Sequence, residues 1–178
     1  MRGHVILSHG LESGPQATKV SAMAAAAEAR GWSSERPDYC DLDRTRDVRE
    51  VANRLARLLD RCAQAPRPLV LAGSSMGAYV SALASLRVDV AGLFLLAPPV
   101  RLEGYPQPLD AARVPTTIIH GWDDELIPAE AVVQWARPRR DRLLLVDDSH
   151  RLAAHVAFCA EEFGRFLDAL PAWNAAPL

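Results

Sequence analysis

Short strand-like runs alternate with stretches of helical periodicity along the whole chain. That alternation constrains the fold most, because strands joined through helices pair in parallel and leave both faces of the sheet to be covered by helices. The runs lie at 5–8, 32–39, 69–72, 90–97, 116–120 and 142–146. Residues 90–97 are continuously apolar, as a central strand covered on both faces should be. Residues 32–39 are short, polar and interrupted by Pro37, which suits a sheet edge. Between the runs, residues 16–30 carry Val20, Met23, Ala24 and Ala27 at helical spacing and close on Gly31, a C-cap residue. Residues 43–64 read as one long amphipathic helix through Val48, Val51, Leu55, Leu58, Leu59 and Cys62, stopped by Pro66 and Pro68. Further helices are expected from about 78 to 86, over 129–136 and after the last strand, where Leu152, Val156, Cys159, Phe163, Phe166, Leu167 and Leu170 share a side. Residues 98–114, with Pro98, Pro99, Pro106 and Pro108, form a long excursion without an element of its own. The expectation is one domain over residues 1–178.

Composition excludes several functions. With 49% hydrophobic and 24% charged residues the chain is not disordered. A balance of 20 basic against 22 acidic residues lacks the excess of a nucleic-acid reader. The densest basic cluster, Arg137, Arg139, Arg140 and Arg142, reads as a solvated junction between helix and strand. Cys40, Cys62 and Cys159 are odd in number and far apart, so neither a disulfide framework nor a zinc pattern is suggested, and reduced thiols in a cytoplasmic protein are expected. Val5-Ile6-Leu7 is too short for a secretory leader or a bilayer span, and no membrane partner is expected.

The chemistry gathers around Gly73-Ser74-Ser75-Met76-Gly77, which joins the run at 69–72 to the following helix. This is a G-x-S-x-G turn, in which a strained backbone leaves one serine exposed and small neighbours avoid a clash. Ser75 is the candidate nucleophile. In a parallel sheet, ligands bind beyond the carboxyl ends of the strands. There the turn His120-Gly121-Trp122-Asp123-Asp124-Glu125 offers a carboxylate, from Asp123 or Asp124, and Asp147-Asp148-Ser149-His150 offers an imidazole at the start of a helix. A serine hydroxyl is a weak nucleophile at neutral pH, so His150 is needed as its base. The order Ser, Asp, His along the chain is one of the known arrangements of that trio. His9 and His120 precede glycines at strand ends and read as turn histidines. His155 lies on a different part of the helix surface from His150, so no metal pair is expected.

On these residues the chain resembles the α/β-hydrolase superfamily over nearly its whole length. The signature H-G-x-x-D-x-x-V/I-P falls on His120, Gly121, Asp124, Ile127 and Pro128, which implies Asp124 as the acid. The early H-G turn falls on His9 and Gly10. Within the superfamily the chain is similar to the small capless KANL3/Tex30-like type, whose H-G-x-x-S-P-x-x-x-K is approximated from His9 to Lys19. Gly14-Pro15 replaces the usual serine-proline, and Asp147-Asp148-Ser149 replaces a glycine-rich approach to His150.

The resemblance implies an α/β-hydrolase fold with a parallel sheet of about six strands, helices on both faces and no cap domain. It implies a serine hydrolase cleaving a carboxylic ester or thioester of a small acyl substrate, without cofactor or metal. Ser75, Asp124 and His150 would be catalytic, and the backbone N–H groups of Leu11 and Met76 would form the oxyanion hole. Glu12, Pro98, Pro99, Tyr105 and Trp122 are candidates for the pocket walls. The alternatives are a binding module that keeps the fold without the chemistry, and an acyltransferase or peptidase using the same serine. The intact trio of side-chain types argues against the first of these.

Overall fold

The computed structural model describes residues 1–171, and residues 172–178, the tail of the expected domain, lie outside the described residues. The strand-like runs become β1 (His4–Ser8), β2 (Ser33–Glu35), β3 (Leu69–Ser74), β4 (Gly92–Leu96), β5 (Thr116–Gly121) and β6 (Arg142–Val146). They form one six-stranded sheet in the order β2-β1-β3-β4-β5-β6, with every pairing parallel. β1, β3, β4 and β5 are buried along their whole length. β2, only three residues of Ser-Ser-Glu, and β6, which begins on exposed Arg142, make the two edges.

Successive residues of a strand point to opposite faces, and the two cores follow that alternation. On one face, Val5, Leu7, Ala72 and Phe94 meet α1 (Thr18–Glu28) and α6 (Val156–Ala169), through Val20, Met23, Phe163 and Leu167. On the other, Ile6, Leu71, Leu93 and Ile118 meet α3 (Glu50–Gln64), α4 (Met76–Ser85) and α5 (Ala129–Ala136), through Leu55, Leu58, Leu83 and Val132. No cap stands over the sheet among the described residues. The excursion at 98–114 contains neither helix nor strand and is tied down by Leu109 N–H to the Val100 carbonyl (3.0 Å), by Trp135 Nε1 to the Leu109 carbonyl (2.9 Å) and by the Tyr79 hydroxyl to the Gln107 carbonyl. No helix among the described residues is long and apolar enough to cross a membrane.

Two expectations about helices are corrected. The stretch 43–64 is not one helix: a short α2 (Cys40–Asp43) is separated from α3 by a loop in which Arg46 has a φ of 53°. The Asp43 carboxylate is drawn inward to the buried Arg54, and the Asp47 carboxylate accepts the N–H of Arg49 at 2.9 Å, a local bond that competes with helix formation. The last helix starts at Val156, so His150 lies in a turn ahead of it rather than at its start. The Asp148 carboxylate holds that turn as a separate unit, accepting from the N–H groups of Ser149 (2.8 Å) and Ala154 (3.0 Å) and pairing with His155 Nδ1 at 2.9 Å.

Candidate active site

Ser75 stands between β3 and α4 with a φ of 53°, a left-handed conformation that a side chain tolerates only where the surroundings enforce it. Here two glycines enforce it. A Cβ on Gly73 would lie 2.4 Å from the backbone of Gly77, and one on Gly77 would lie 1.9 Å from the carbonyl oxygen of Ser8. The strand, the turn and the helix therefore pack at backbone distance against the end of β1. The Ser75 N–H donates to the Leu96 carbonyl at 2.8 Å, which ties the turn to β4.

The other two groups come from loops that follow β5 and β6. Gly121 pairs with Val146 in register, and beyond them the N–H of Trp122 donates to the Val146 carbonyl (2.8 Å) and that of Asp123 to the Asp148 carbonyl (3.1 Å). The loops are thus zipped together. Asp124 is buried, and its Oδ1 accepts from the N–H groups of Leu126 (2.9 Å) and Ile127 (2.8 Å). Its Oδ2 lies 2.8 Å from His150 Nδ1, and His150 Nε2 lies 2.9 Å from Ser75 Oγ. Asp123, the other carboxylate open to the sequence reading, is exposed. Burial acts to raise the Asp124 carboxyl, but the hydrogen bonds from His150, Ile127 and Leu126 outweigh it and hold the group below the ordinary carboxylate range. With Asp124 ionised, Nδ1 of His150 carries the proton and Nε2 is left to accept from the serine hydroxyl. The His150 N–H donates to Glu125 Oε2 at 3.1 Å.

His9 and His120 serve the turns. His9 Nε2 accepts the N–H of Tyr39 at 3.0 Å, so its proton is on Nδ1, which donates to the Gly10 carbonyl at 2.8 Å. His120 Nε2 donates to the Ile127 carbonyl at 2.9 Å. Burial pushes both rings below the ordinary histidine value of 6.5. The unfolded chain binds protons below that value that the native rings refuse, so the stability held above pH 6.5 is lost as the pH falls further. We expect each ring to remove up to about 1.4 kcal/mol per pH unit in that range. Urea denaturation at pH 7.5 and pH 5.5 measures this loss, and an unchanged midpoint would mean that the rings protonate in place.

The remaining candidates divide. Leu11 lies in the turn after β1 and is 47% exposed. That turn presses on the serine, since a Cβ on Gly10 would sit 3.3 Å from the Ser74 carbonyl oxygen and 3.5 Å from Ser75 Cβ. Met76 opens α4, where an N–H has no acceptor in a preceding helical turn. Glu12 has a φ of 56°, approaches Arg46 at 3.6 Å and lines a hollow of about 340 Å³ with Ser13, Cys40, Asp43, Arg44 and Arg46. Trp122 is 56% exposed, and Pro98 and Pro99 are buried. Tyr105 packs edge-on against Tyr79 at 6.3 Å between ring centroids, on the α4 side of the core. His9, Asp38 and Cys40 bring possible metal-binding atoms within 4.8 Å of one another, but the His9 lone pair is already taken by Tyr39 N–H.

One residue escaped the sequence reading. Arg54 is buried within α3, and its guanidinium reaches Asp43 and the carbonyls of His9 and Gly10. The signal was present: Arg54 sits on the same stripe as Val51, Leu55 and Leu58.

The family model described as an alpha/beta hydrolase domain matches residues 1–157. No curated protein matches the chain. Among solved structures, a protein assigned to the alpha/beta superfamily of hydrolases from Xanthomonas campestris pv. campestris is 50% identical, with 95% of this chain and 100% of that chain covered and a TM-score of 0.89. Est1E from Butyrivibrio proteoclasticus is 22% identical over 93% of this chain and 86% of that one, with a TM-score of 0.70. An esterase from Pyrococcus furiosus is 15% identical over 95% and 82%, with a TM-score of 0.73. At 22% and 15% identity the likeness is one of fold alone.

Proposed function

The chain belongs to the alpha/beta hydrolase domain family, whose model spans residues 1–157, and we propose that it is a serine hydrolase cleaving a carboxylic ester or thioester of small acyl size through an acyl-enzyme. The observation that carries the proposal is the unbroken hydrogen-bond chain from Ser75 Oγ to His150 Nε2 (2.9 Å) and from His150 Nδ1 to Asp124 Oδ2 (2.8 Å). Ser75 Oγ attacks the carbonyl carbon while its proton passes to His150 Nε2. The oxyanion that forms is held by the N–H groups of Leu11 and Met76, and each such donor contributes on the order of 100-fold in rate or more. Collapse of the intermediate expels the alcohol or thiol, which takes the proton from His150. Water then attacks the acyl-enzyme with His150 again as base, releasing the acid and restoring Ser75. Asp124 fixes the imidazole tautomer and stabilises the imidazolium without itself taking the proton.

Supporting an ester substrate, the fold-level neighbours include a protein named as an esterase, and Est1E has been seen with ferulic acid bound. A sheet with no cap among the described residues leaves the serine approachable and suits small acyl groups. The run from His9 to Lys19 supports the KANL3/Tex30-like type within the family. Steady-state turnover of p-nitrophenyl acetate and phenyl thioacetate tests the proposal. The chain should hydrolyse at least one of them, and Ser75→Ala should fall to the buffer rate. Equal turnover by Ser75→Ala would overturn it.

A further inference from the structure

We propose that Arg54 is a positioning residue for the oxyanion hole, fixing the direction of the Leu11 N–H through the peptide group that Gly10 and Leu11 share. The inference rests on the serine-hydrolase reading and adds to it a group remote from the reacting atoms.

A guanidinium withdrawn from water is costly unless its donors are matched. Arg54, with its side chain 1% exposed, is matched by two kinds of partner. The Asp43 carboxylate takes Nε at 2.8 Å and Nη2 at 2.6 Å as a fork, and the guanidinium lies over the Tyr39 ring at 4.5 Å. The remaining donors turn to the backbone leaving β1: Nη1 reaches the His9 carbonyl at 3.0 Å, and Nη2 the Gly10 carbonyl at 3.3 Å. Asp43 alone would not require burial of the pair, because such a fork forms equally well at a surface. The backbone contacts account for where the pair is placed.

The Gly10 carbonyl also accepts from His9 Nδ1 at 2.8 Å and from Ser13 Oγ at 2.9 Å. The two shorter bonds occupy its lone pairs, and the longer one brings a cation to the same oxygen. In a planar trans peptide the carbonyl and the N–H point in opposite directions, so a carbonyl held toward Arg54, His9 and Ser13 sends the Leu11 N–H the other way. Glycine gives this peptide little stiffness of its own, and the donors supply it. A cation at the carbonyl end also polarises the peptide and strengthens its N–H as a donor, as in any chain of hydrogen bonds.

The test compares kcat/KM for p-nitrophenyl acetate and for its thiono analogue, in which sulfur replaces the carbonyl oxygen and fits an oxyanion hole poorly. The full chain is measured as the unaltered protein and as Arg54→Met, Arg54→Lys and Ser13→Ala, with thermal melts alongside. The unaltered chain should favour the oxygen ester. Arg54→Met should lose about tenfold or more on the oxygen ester and much less on the thiono ester, so the ratio contracts. Arg54→Lys, which keeps the charge but not the fork, should fall between. A smaller folded fraction lowers both rates equally, so a constant ratio identifies a merely structural role and overturns the proposal. Should neither Arg54 variant fold, Ser13→Ala carries the test from an exposed donor to the same carbonyl, with a contraction of about two- to fivefold expected and an unchanged ratio overturning the role. If the unaltered chain turns over neither ester, the hydrolase reading falls and this inference with it. An active chain with a constant ratio overturns the role of Arg54 alone.

Discussion

Replacing His150 with alanine should lower kcat/KM for p-nitrophenyl acetate by on the order of 10,000-fold, because a serine hydroxyl without its base is barely nucleophilic and the leaving group has no acid. The variant should still fold but melt somewhat lower, since the ring is only 12% exposed and its removal leaves the buried Asp124 carboxylate to the N–H groups of Leu126 and Ile127. Asp124→Asn should cost nearly as much. An amide in place of the carboxylate leaves the imidazolium unsupported and lets the ring take the wrong tautomer. Asp123→Asn should stay within about twofold of the unaltered chain, as an exposed substitution away from the hydrogen-bond chain. Steady-state kinetics on the three variants decides the matter, and a large loss in Asp123→Asn beside a small one in Asp124→Asn would reverse the assignment of the acid.

The second large effect is expected on stability. A Cβ at Gly77 would stand 1.9 Å from the Ser8 oxygen, 2.5 Å from the Ser8 carbonyl carbon and 2.7 Å from the His9 oxygen, all of them backbone atoms at the end of the buried β1. No flexible side chain can give way there, so α4 must move away from the sheet. We expect Gly77→Ala to destabilise the fold by about 3 kcal/mol or more. The nucleophile moves with the helix, and a displacement of about 1 Å is enough to cost on the order of 100-fold in rate. Urea denaturation followed by intrinsic fluorescence, together with kcat/KM under conditions where the variant is folded, measures both. A normal midpoint with normal activity would mean that the elbow does not need the close approach of its helix to β1.

Much of this architecture is written locally in the chain. The continuous apolar runs at 69–72 and 90–97 read as buried strands, and the first lies within β3 while the second encloses β4. The side chains of Ser75, Asp124 and His150 meet because each follows a strand whose end faces the same way, a consequence of parallel order that periodicity already implies. What escaped depends on distant partners. The helix expected over 43–64 rests on a stripe that begins only at Val48, and the pull of Arg54 on Asp43, together with the Asp47 side chain, explains the loop found ahead of it. Likewise Leu152 continues an apolar pattern while sitting in a left-handed turn with a φ of 51°, because Asp148 folds the segment back on itself. Charged or strained residues decided these places, and hydrophobic periodicity does not register them.

The central claim is that Ser75 is activated by its neighbours, and covalent labelling measures this most directly. After treatment with a fluorophosphonate, mass spectrometry of the digested chain should find a single adduct on the peptide carrying Ser75, absent in Ser75→Ala and formed far more slowly in His150→Ala. An adduct on a different residue, or ester turnover by a chain that never becomes labelled, would contradict the account.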